Sequence, residues 1–188
     1  MARTSLNEEQ QQQLLTLAKN AIQHGLTTGK PLKVNLADFP AELTVQRATF
    51  VTLQKHGQLR GCIGMLTAVR PLVEDIAENA FSAAFRDPRF PPLTASELNA
   101  LEIHLSILTP SEPITFSSEQ DLLNQIQPHI DGLILQDGSQ RGTFLPSVWE
   151  QLPEPKQFLR HLKQKAGFSP DYWSETLKVY RYHTEIIE

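Results

Sequence analysis

Hydrophobic residues near the start of the chain recur every three or four positions, which is the spacing of one face of an α-helix. The residues of this stripe are Leu14, Leu17, Ala18, Ala21 and Ile22. The preceding Ser5 to Glu8 segment has the form of a capping box, and Gly25 is a residue type that can end a helix. The pattern therefore predicts an amphipathic helix between the capping box and Gly25.

Further along the chain, the pattern predicts a hairpin followed by a helix, and it does so twice. Runs rich in Thr, Val, Ile and Leu indicate the strands, glycines indicate the turns, and a proline marks the start of each helix. The first copy has strands at 46–54 and 59–65 and a helix from Pro71, and the second has strands at 132–136 and 141–145 and a helix from Pro155. We interpret this repetition as an internal structural duplication.

Other segments complete the prediction. Apolar and polar residues alternate from Leu101 to Ile107, which is typical of a half-buried strand, and 177–182 is predicted as the last strand. A capping box at Thr94 indicates a short helix, and 118–127 is predicted to be helical. Hairpins imply antiparallel pairing, so the predicted class is α+β. We expect residues 1–188 to form a single domain, with a smaller subdomain in the middle third.

Composition excludes several classes of protein. The chain has 188 residues and a net charge of −4 without a basic run, which argues against nucleic-acid binding. No apolar stretch approaches the roughly 20 residues of a membrane span, and the polar, glutamine-rich N-terminus does not resemble a signal peptide. The single cysteine, Cys62, allows no intramolecular disulfide. We expect a cytoplasmic protein.

The most unusual segment places that cysteine between Gly61 and Gly64, directly after Arg60. Glycine inside a strand often marks a bulge or a close approach of a ligand. A guanidinium near the sulfur would lower the pKa of the thiol and favour the reactive thiolate. The alternative is a buried structural cysteine, because cysteine is among the most often buried residues. Strand alternation places Cys62 on the same face as Arg60, which favours exposure.

A nucleophilic cysteine needs a base, usually a histidine. His56 is nearest along the chain, but it lies in the predicted turn and is expected at the surface. His104 lies on the polar face of its strand, where a role facing solvent is expected. The histidines lack the spacing of metal ligands, and the chain has no dinucleotide or phosphate-loop fingerprint. We therefore expect no metal and no cofactor.

Two arginine-bearing segments are further candidates for binding. In the first, Asp87 is suited to orient Arg89 for an anion, and Phe90 precedes two prolines. In the second, Arg141 lies just before a helix predicted to begin at Pro146, where free N–H groups attract anions. The structural alternatives are a clamp at a helix end with Phe90 in the core, and a plain strand-to-helix corner.

Together these segments resemble one family. The motifs, in order along the chain, are Leu-Arg-Gly-Cys-Ile-Gly at 59–64, Asp87-x-Arg89-Phe90-x-Pro92, Leu108-Thr109-Pro110, Asp-Gly-Leu-Ile-Leu at 131–135, Phe144-Leu145-Pro146-x-Val148-Trp149, Phe158-Leu159, and Lys165-Ala166-Gly167 followed by Trp173. The set is similar to the AMMECR-type domain, known in prokaryotes as AmmeMemoRadiSam system protein A. The resemblance covers nearly the whole chain.

The resemblance implies an α+β fold of repeated units, with a large and a small lobe around a cleft. It implies a Memo-like protein and a radical SAM protein as partners, and it suggests that the segment around Cys62 lines the functional surface. No biochemical activity is firmly established for the family. Ser147 stands where family members usually have Gln, which puts any ligand contact of that amide in doubt here.

Three functions follow as hypotheses. The leading one is a binding module that recognises a small ligand or a partner protein through the Arg60–Gly64 segment and the Asp87–Phe90 loop, with Arg141 and Pro146 as further binding residues. The alternative is an enzyme that uses Cys62 as a nucleophile or covalent carrier. The third, an accessory protein of RNA modification, is disfavoured by the acidic balance of charge.

Overall fold

The computed structural model describes residues 5–188, which divide into two compact units. Residues 5–108 together with 185–188 form what we call the N-terminal unit, and residues 109–184 form the C-terminal unit. Each unit contains helices and one four-stranded sheet in which the strand pairs that can be assigned are antiparallel. The predicted α+β class is therefore confirmed.

The long elements of the N-terminal unit are α1 Glu8–Thr28, β1 Thr49–Lys55, β2 Gln58–Gly64, α2 Leu72–Phe85, β3 Leu101–Leu108 and β8 Thr184–Ile187. Its sheet has the strand order β2-β1-β3-β8. Short 3-10 helices occupy Leu36–Asp38, Ala41–Leu43 and Ala95–Ala100. Residues from both helices and from the sheet share one core, which includes Leu14, Ile22, Val51, Ile76 and Leu105. The sheet thus buries one face against α1 and α2.

The elements of the C-terminal unit are β4 Glu112–Pro113, α3 Glu119–Gln125, β5 Gly132–Asp137, β6 Gln140–Phe144, a 3-10 helix at Pro146–Glu150, α4 Pro155–Lys165 and β7 Lys178–Tyr182. Its sheet has the strand order β4-β7-β5-β6. The core is built around Trp149, whose ring stacks on Phe158 with centroids 3.7 Å apart. The indole Nε1 donates to the carbonyl of Asp131 at 2.8 Å, so this buried polar group is satisfied.

The repeated pattern of a hairpin followed by a helix is present in both units. In each, a third strand after the helix returns to pair with the first strand of the hairpin, which yields the orders β2-β1-β3 and β6-β5-β7. Both hairpin turns contain a glycine with positive φ, 74° at Gly57 and 61° at Gly138, a conformation that glycine adopts without strain.

The predicted bounds of the first helix are wrong at both ends. Its capping box is formed by Asn7 and Gln10, which exchange side-chain-to-backbone hydrogen bonds, and not by Ser5. The helix also continues through Gly25 to a left-handed cap at Gly29. Gly25 serves packing instead, because a Cβ atom there would lie 2.4 Å from Cε2 of Phe85 on α2. Periodicity alone cannot distinguish a terminating glycine from one that admits a neighbouring side chain.

Two short strands were not predicted from the sequence. A short strand, β4, precedes α3, and the strand predicted to be last is followed by β8 after a break at His183. Short strands carry too few residues for a period of two to be recognised. None of the helices within residues 5–188 combines the length and the apolar character needed to cross a bilayer.

Candidate functional site

A β-bulge lies at the start of the glycine- and cysteine-containing segment. In the antiparallel pairing of β1 with β2, Leu53 is opposite Gly61 whereas the next residue, Gln54, is opposite Leu59. Arg60 is therefore the extra residue in β2, and the regular alternation of side chains is interrupted there. Because the strand is interrupted at Arg60, simple alternation does not place Arg60 on the same face as Cys62, and that prediction is wrong.

Both glycines of the segment are required by packing. A Cβ atom on Gly61 would lie 2.1 Å from the backbone oxygen of Ala83, so α2 crosses β2 in direct contact with its backbone. A Cβ atom on Gly64 would lie 2.3 Å from Cγ of Phe50. Real Cβ atoms do not approach other atoms so closely, and these contacts explain the glycines without a ligand.

The side chain of Arg60 is directed into the protein. Its Nε donates to Oε1 of Glu97 at 3.1 Å, and its Nη2 donates to Oε2 of Glu97 at 3.2 Å and to the carbonyl of Pro91 at 2.8 Å. Only 9% of the side chain is exposed. The remaining nitrogen, Nη1, is buried and has no acceptor within the described part of the chain. The fork to Glu97 is the bidentate geometry that makes arginine–carboxylate pairs strong.

Glu97 carries the negative charge that faces Arg60 in this part of the unit. It also accepts a hydrogen bond from Nζ of Lys55 at 3.1 Å and from the backbone N–H of Thr94 at 2.9 Å. These contacts, with Arg60 as the largest contribution, lower the pKa of Glu97 from 4.5 to about 2. Glu97 is therefore ionised at neutral pH and holds the bulge in place.

Asp87 connects β2 to the loop that follows α2. Its Oδ2 accepts the backbone N–H of Cys62 at 3.0 Å and Nη2 of Arg89 at 2.7 Å, while its Oδ1 accepts Nε of Arg89 at 3.0 Å. The side chain of Asp87 is almost completely buried. The hydrogen bond from Arg89 holds the pKa of Asp87 well below its usual value, so the carboxylate stays charged despite its burial.

Arg89 remains open to solvent although it is held by Asp87. About half of its side chain, 55%, is exposed. The pKa of Arg89 is raised, mainly by the hydrogen bond to Asp87, and the Cys62 side chain makes a smaller electrostatic contribution in the same direction. The guanidinium carbons of Arg89 and Arg60 lie 5.5 and 5.8 Å from the centroid of the same Phe90 ring. Phe90 thus lies beside both cations, within the range of cation–π attraction.

Cys62 is half-buried, so its sulfur is neither in the core nor fully open. Because side chains alternate along a strand and Gly61 faces α2, Cys62 lies on the face of the sheet opposite the helices. Its Sγ is 3.2 Å from Oγ1 of Thr52, the residue opposite it on β1. His104 is the next residue of this row on β3, and its Nδ1 is hydrogen-bonded to Glu188 at 2.7 Å.

The structure therefore brings part of the predicted site together. Cys62 and Arg89 are joined through the Asp87 carboxylate, and Phe90 lies beside the Arg89 guanidinium. We call the surface formed by the Arg60–Gly64 segment and the Asp87–Phe90 loop the cysteine surface. Two cavities of about 450 and 350 Å³ also lie in the N-terminal unit, and neither is lined by a residue of the cysteine surface.

The other two predicted binding residues belong to the C-terminal unit. Arg141 is exposed on β6, and Pro146 begins a 3-10 helix of five residues. So short a helix has little of the aligned dipole that attracts anions to longer helices. Residue 147, the serine that departs from the family pattern, is exposed on this helix.

Two residues around Cys62 went unrecognised in the sequence. Glu97 was identified only as part of a capping box, and its second role as the partner of Arg60 has no local signal because the two residues are 37 positions apart. Thr52 was assigned only to a strand. Counted outward from the turn without a bulge, the hairpin register places Thr52 opposite Gly61, and the bulge at Arg60 shifts its partner to Cys62.

The repeated strand–strand–helix–strand topology and the clamped glycine–cysteine strand define an α+β protein built from two related units. The chain belongs to the AMMECR1 family, whose model matches residues 15–187. The family resemblance drawn from the ordered motifs is therefore confirmed.

Among relatives, a protein from Methanothermobacter thermautotrophicus is 38% identical over 183 residues, covering 96% of this chain and 95% of its own length. Protein MJ0810 from Methanocaldococcus jannaschii is 39% identical over 160 residues, covering 83% of this chain and 80% of its own. The crystal structure of uncharacterized protein PH0010 from Pyrococcus horikoshii superposes with a TM-score of 0.89 at 37% identity, covering 97% and 93% of the two chains.

Proposed function

We propose that this protein is a binding and accessory protein of the AmmeMemoRadiSam type, and that the cysteine surface recognises a small ligand or a partner protein. The observation that carries the proposal is the Asp87 carboxylate, which fixes both the Cys62 backbone and the Arg89 guanidinium while leaving the guanidinium half exposed. A buried carboxylate is costly unless it is fully paired, so Asp87 needs its hydrogen bonds to Arg89. This requirement holds the Arg89 guanidinium in one defined orientation.

The proposed partners are the Memo-like protein and the radical SAM protein of the same system. Arginine beside an aromatic ring is the composition found at the centre of binding interfaces, and Arg89 next to Phe90 has this composition. Binding is favoured over catalysis because, among the described residues, no histidine is hydrogen-bonded to the sulfur of Cys62. His104, in the same row of the sheet, is bonded to Glu188 instead.

The test is co-purification of the tagged protein with the two proposed partners. We expect the wild-type protein to retain at least one of them and Arg89→Ala to lose it. Arg86→Ala is the matched control, because the side chain of Arg86 has the same 55% exposure but is paired with Glu78. If Arg89→Ala and Arg86→Ala retain the partner proteins equally well, the cysteine surface is not part of the interface.

The second candidate function is an enzyme that uses Cys62 as a nucleophile or covalent carrier. The observation in its favour is that Cys62 is only partly buried and that its backbone N–H shares the Asp87 carboxylate with the Arg89 guanidinium. Titration of the native protein with a thiol reagent tests this function, since Cys62 is the only cysteine. A thiol pKa clearly below the free value of about 8.5 would support it, and a thiol that reacts only after unfolding would exclude it.

A further inference from the structure

The network of charged side chains that joins the cysteine surface to the neighbouring Lys55 and Glu97 has more positive than negative groups. Three cationic side chains, Lys55, Arg60 and Arg89, are bonded to two carboxylates, Asp87 and Glu97, which leaves one excess positive charge. The protein as a whole is acidic, with a net charge of −4, so this local excess runs against the overall balance. An excess of one sign raises the local concentration of ligands of the opposite sign.

Arg89 keeps hydrogen-bond donors available for a ligand. A guanidinium has N–H groups on three nitrogens, and Asp87 takes one from Nε and one from Nη2. Within the described residues, neither Nη1 nor the second N–H of Nη2 has a partner. These donors lie on the edge of the guanidinium that faces away from Asp87, and they have the spacing that carboxylate and phosphate oxygens accept.

A second and independent observation concerns Arg60. Its side chain is more than nine-tenths buried, yet Nη1 has no acceptor in the described part of the chain. Buried N–H donors are rarely left without a partner, and those that are call for an explanation such as a water or an ion. The guanidinium of Arg60 lies beside the same Phe90 ring as that of Arg89, so this incompletely paired cation adjoins the cysteine surface.

We propose that the cysteine surface binds an oxyanion, a carboxylate or a phosphate group, through the free edge of Arg89, and that Asp87 is the positioning residue for this arginine. This inference rests on the proposed binding role of the same surface and specifies the chemistry of its ligand. Asp87 acts only through Arg89. Each of its two oxygens already accepts two N–H groups, and a carboxylate does not itself bind an anion.

The test uses the single cysteine as a local probe of charge. The native protein is alkylated with iodoacetate, an anion, and separately with iodoacetamide, which is neutral, and the ratio of the two rates is measured. Both reagents attack the same thiolate, so the fraction of thiolate cancels in the ratio. What remains is the effect of local charge and of donors that bind the carboxylate of the reagent.

We expect Arg89→Gln to lower the ratio of iodoacetate to iodoacetamide rates by about threefold or more, the factor for one unit charge at a distance of some 6 Å in water. Arg86→Gln, which removes an equally exposed arginine paired with Glu78, is expected to leave the ratio unchanged. Equal ratios for wild type and Arg89→Gln would overturn the oxyanion assignment.

Asp87→Asn separates positioning from net charge. If only the total charge matters, removal of a carboxylate makes the surface more positive and the ratio rises. If Asp87 positions Arg89, the neutral amide holds the guanidinium poorly and the ratio falls. We expect a fall, and a rise would overturn the role assigned to Asp87.

Competition then distinguishes the two types of oxyanion, carboxylate and phosphate. Inorganic phosphate and acetate are added separately at constant ionic strength, and the iodoacetate rate is measured again. We expect at least one of them to reduce the wild-type ratio to that of Arg89→Gln while leaving the iodoacetamide rate unchanged. No reduction by either anion would count against a bound oxyanion. Because the partner assay is separate, loss of partners in Arg89→Ala with an unchanged ratio would leave the proposed function standing and reject only this inference.

Discussion

In β2 of the N-terminal unit, Arg60-Gly61 precedes Cys62, and in β6 of the C-terminal unit, Arg141-Gly142 precedes Thr143. The two glycines occupy the same place in the repeated topology, since each lies opposite a buried leucine of the partner strand. Gly61 also lies against Ala83 of α2, and Gly142 lies against Ala166, the residue that caps the C-terminus of α4. The glycine is therefore a property of the repeated unit and does not by itself indicate a functional site.

The residues around the two glycines differ. Arg60 is the extra residue of a bulge and is buried in a fork to Glu97, whereas Arg141 pairs regularly with Gln136 and is exposed. The hydroxyl of Thr143 is bonded to the carbonyl of Leu133, while Cys62 is linked through its backbone to Asp87 and Arg89. The comparison shows that the bulge and its charged partners, and not the glycine, distinguish the candidate site.

The largest expected effect is on folding stability and concerns the glycines. Gly61→Ala would place a methyl group 2.1 Å from a backbone oxygen, whereas in Gly142→Ala the closest atom, on Ala166, is at 2.9 Å. We expect a loss of about 3 kcal/mol or more for Gly61→Ala and about 1–3 kcal/mol for Gly142→Ala, because backbone must move to relieve such contacts. Urea unfolding measures both. Gln58→Ala, exposed on the same strand, is the control, and an effect of Gly61→Ala as small as that control would disprove the close helix contact.

A smaller loss of stability is expected from Glu97→Gln. The ion pair between Arg60 and Glu97 has no counterpart at Arg141 in the C-terminal unit, where the arginine is exposed. The substitution leaves the buried Arg60 guanidinium without its counter-charge and should cost about 2 kcal/mol at neutral pH. Because folding lowers the pKa of Glu97 from 4.5 to about 2, its stabilising contribution is complete above pH 4.5 and is lost as the pH falls through about 2.

The pH dependence of unfolding checks this assignment. The difference in free energy of unfolding between wild type and Glu97→Gln should be constant above pH 4.5 and should narrow between pH 4.5 and 2. Glu42→Gln, which removes an exposed carboxylate of the same unit, is the matched control. A gap between wild type and Glu97→Gln that persists unchanged at pH 2 would mean that charge is not the basis of the Arg60 contact.

The smallest effects are expected from exchanging each arginine for lysine. Arg60→Lys removes the planar fork to Glu97 and Pro91 and should cost about 1–2 kcal/mol. Arg141→Lys changes an exposed side chain and should stay within about 0.5 kcal/mol. Thermal unfolding of the two variants side by side measures the difference. If the two variants lose the same stability, the difference in burial between Arg60 and Arg141 has no energetic consequence.

Local sequence signals predicted most of the fold. The periodicities located the hairpins, the helices α2 and α4, and strand β3, because each of these buries one face and must repeat with its own period. The same signals failed at Gly25, which a neighbouring phenyl ring requires, and at β8, which is short and follows β7 after a single residue. Among the candidate site residues, Asp87 and Arg89 are two positions apart, and their pairing followed from the sequence.

The amino-acid sequence by itself determined the α+β class, the repeated units, the family, and the presence of a lone cysteine between glycines, because these depend on residue type, spacing and order. Only the tertiary structure decided that Arg60 is buried against Glu97, that Asp87 holds the Cys62 backbone, and that Arg89 is left open. Those contacts join residues 25 and 37 positions apart. Their formation depends on a one-residue bulge and on the path of the chain around α2, which no local pattern encodes.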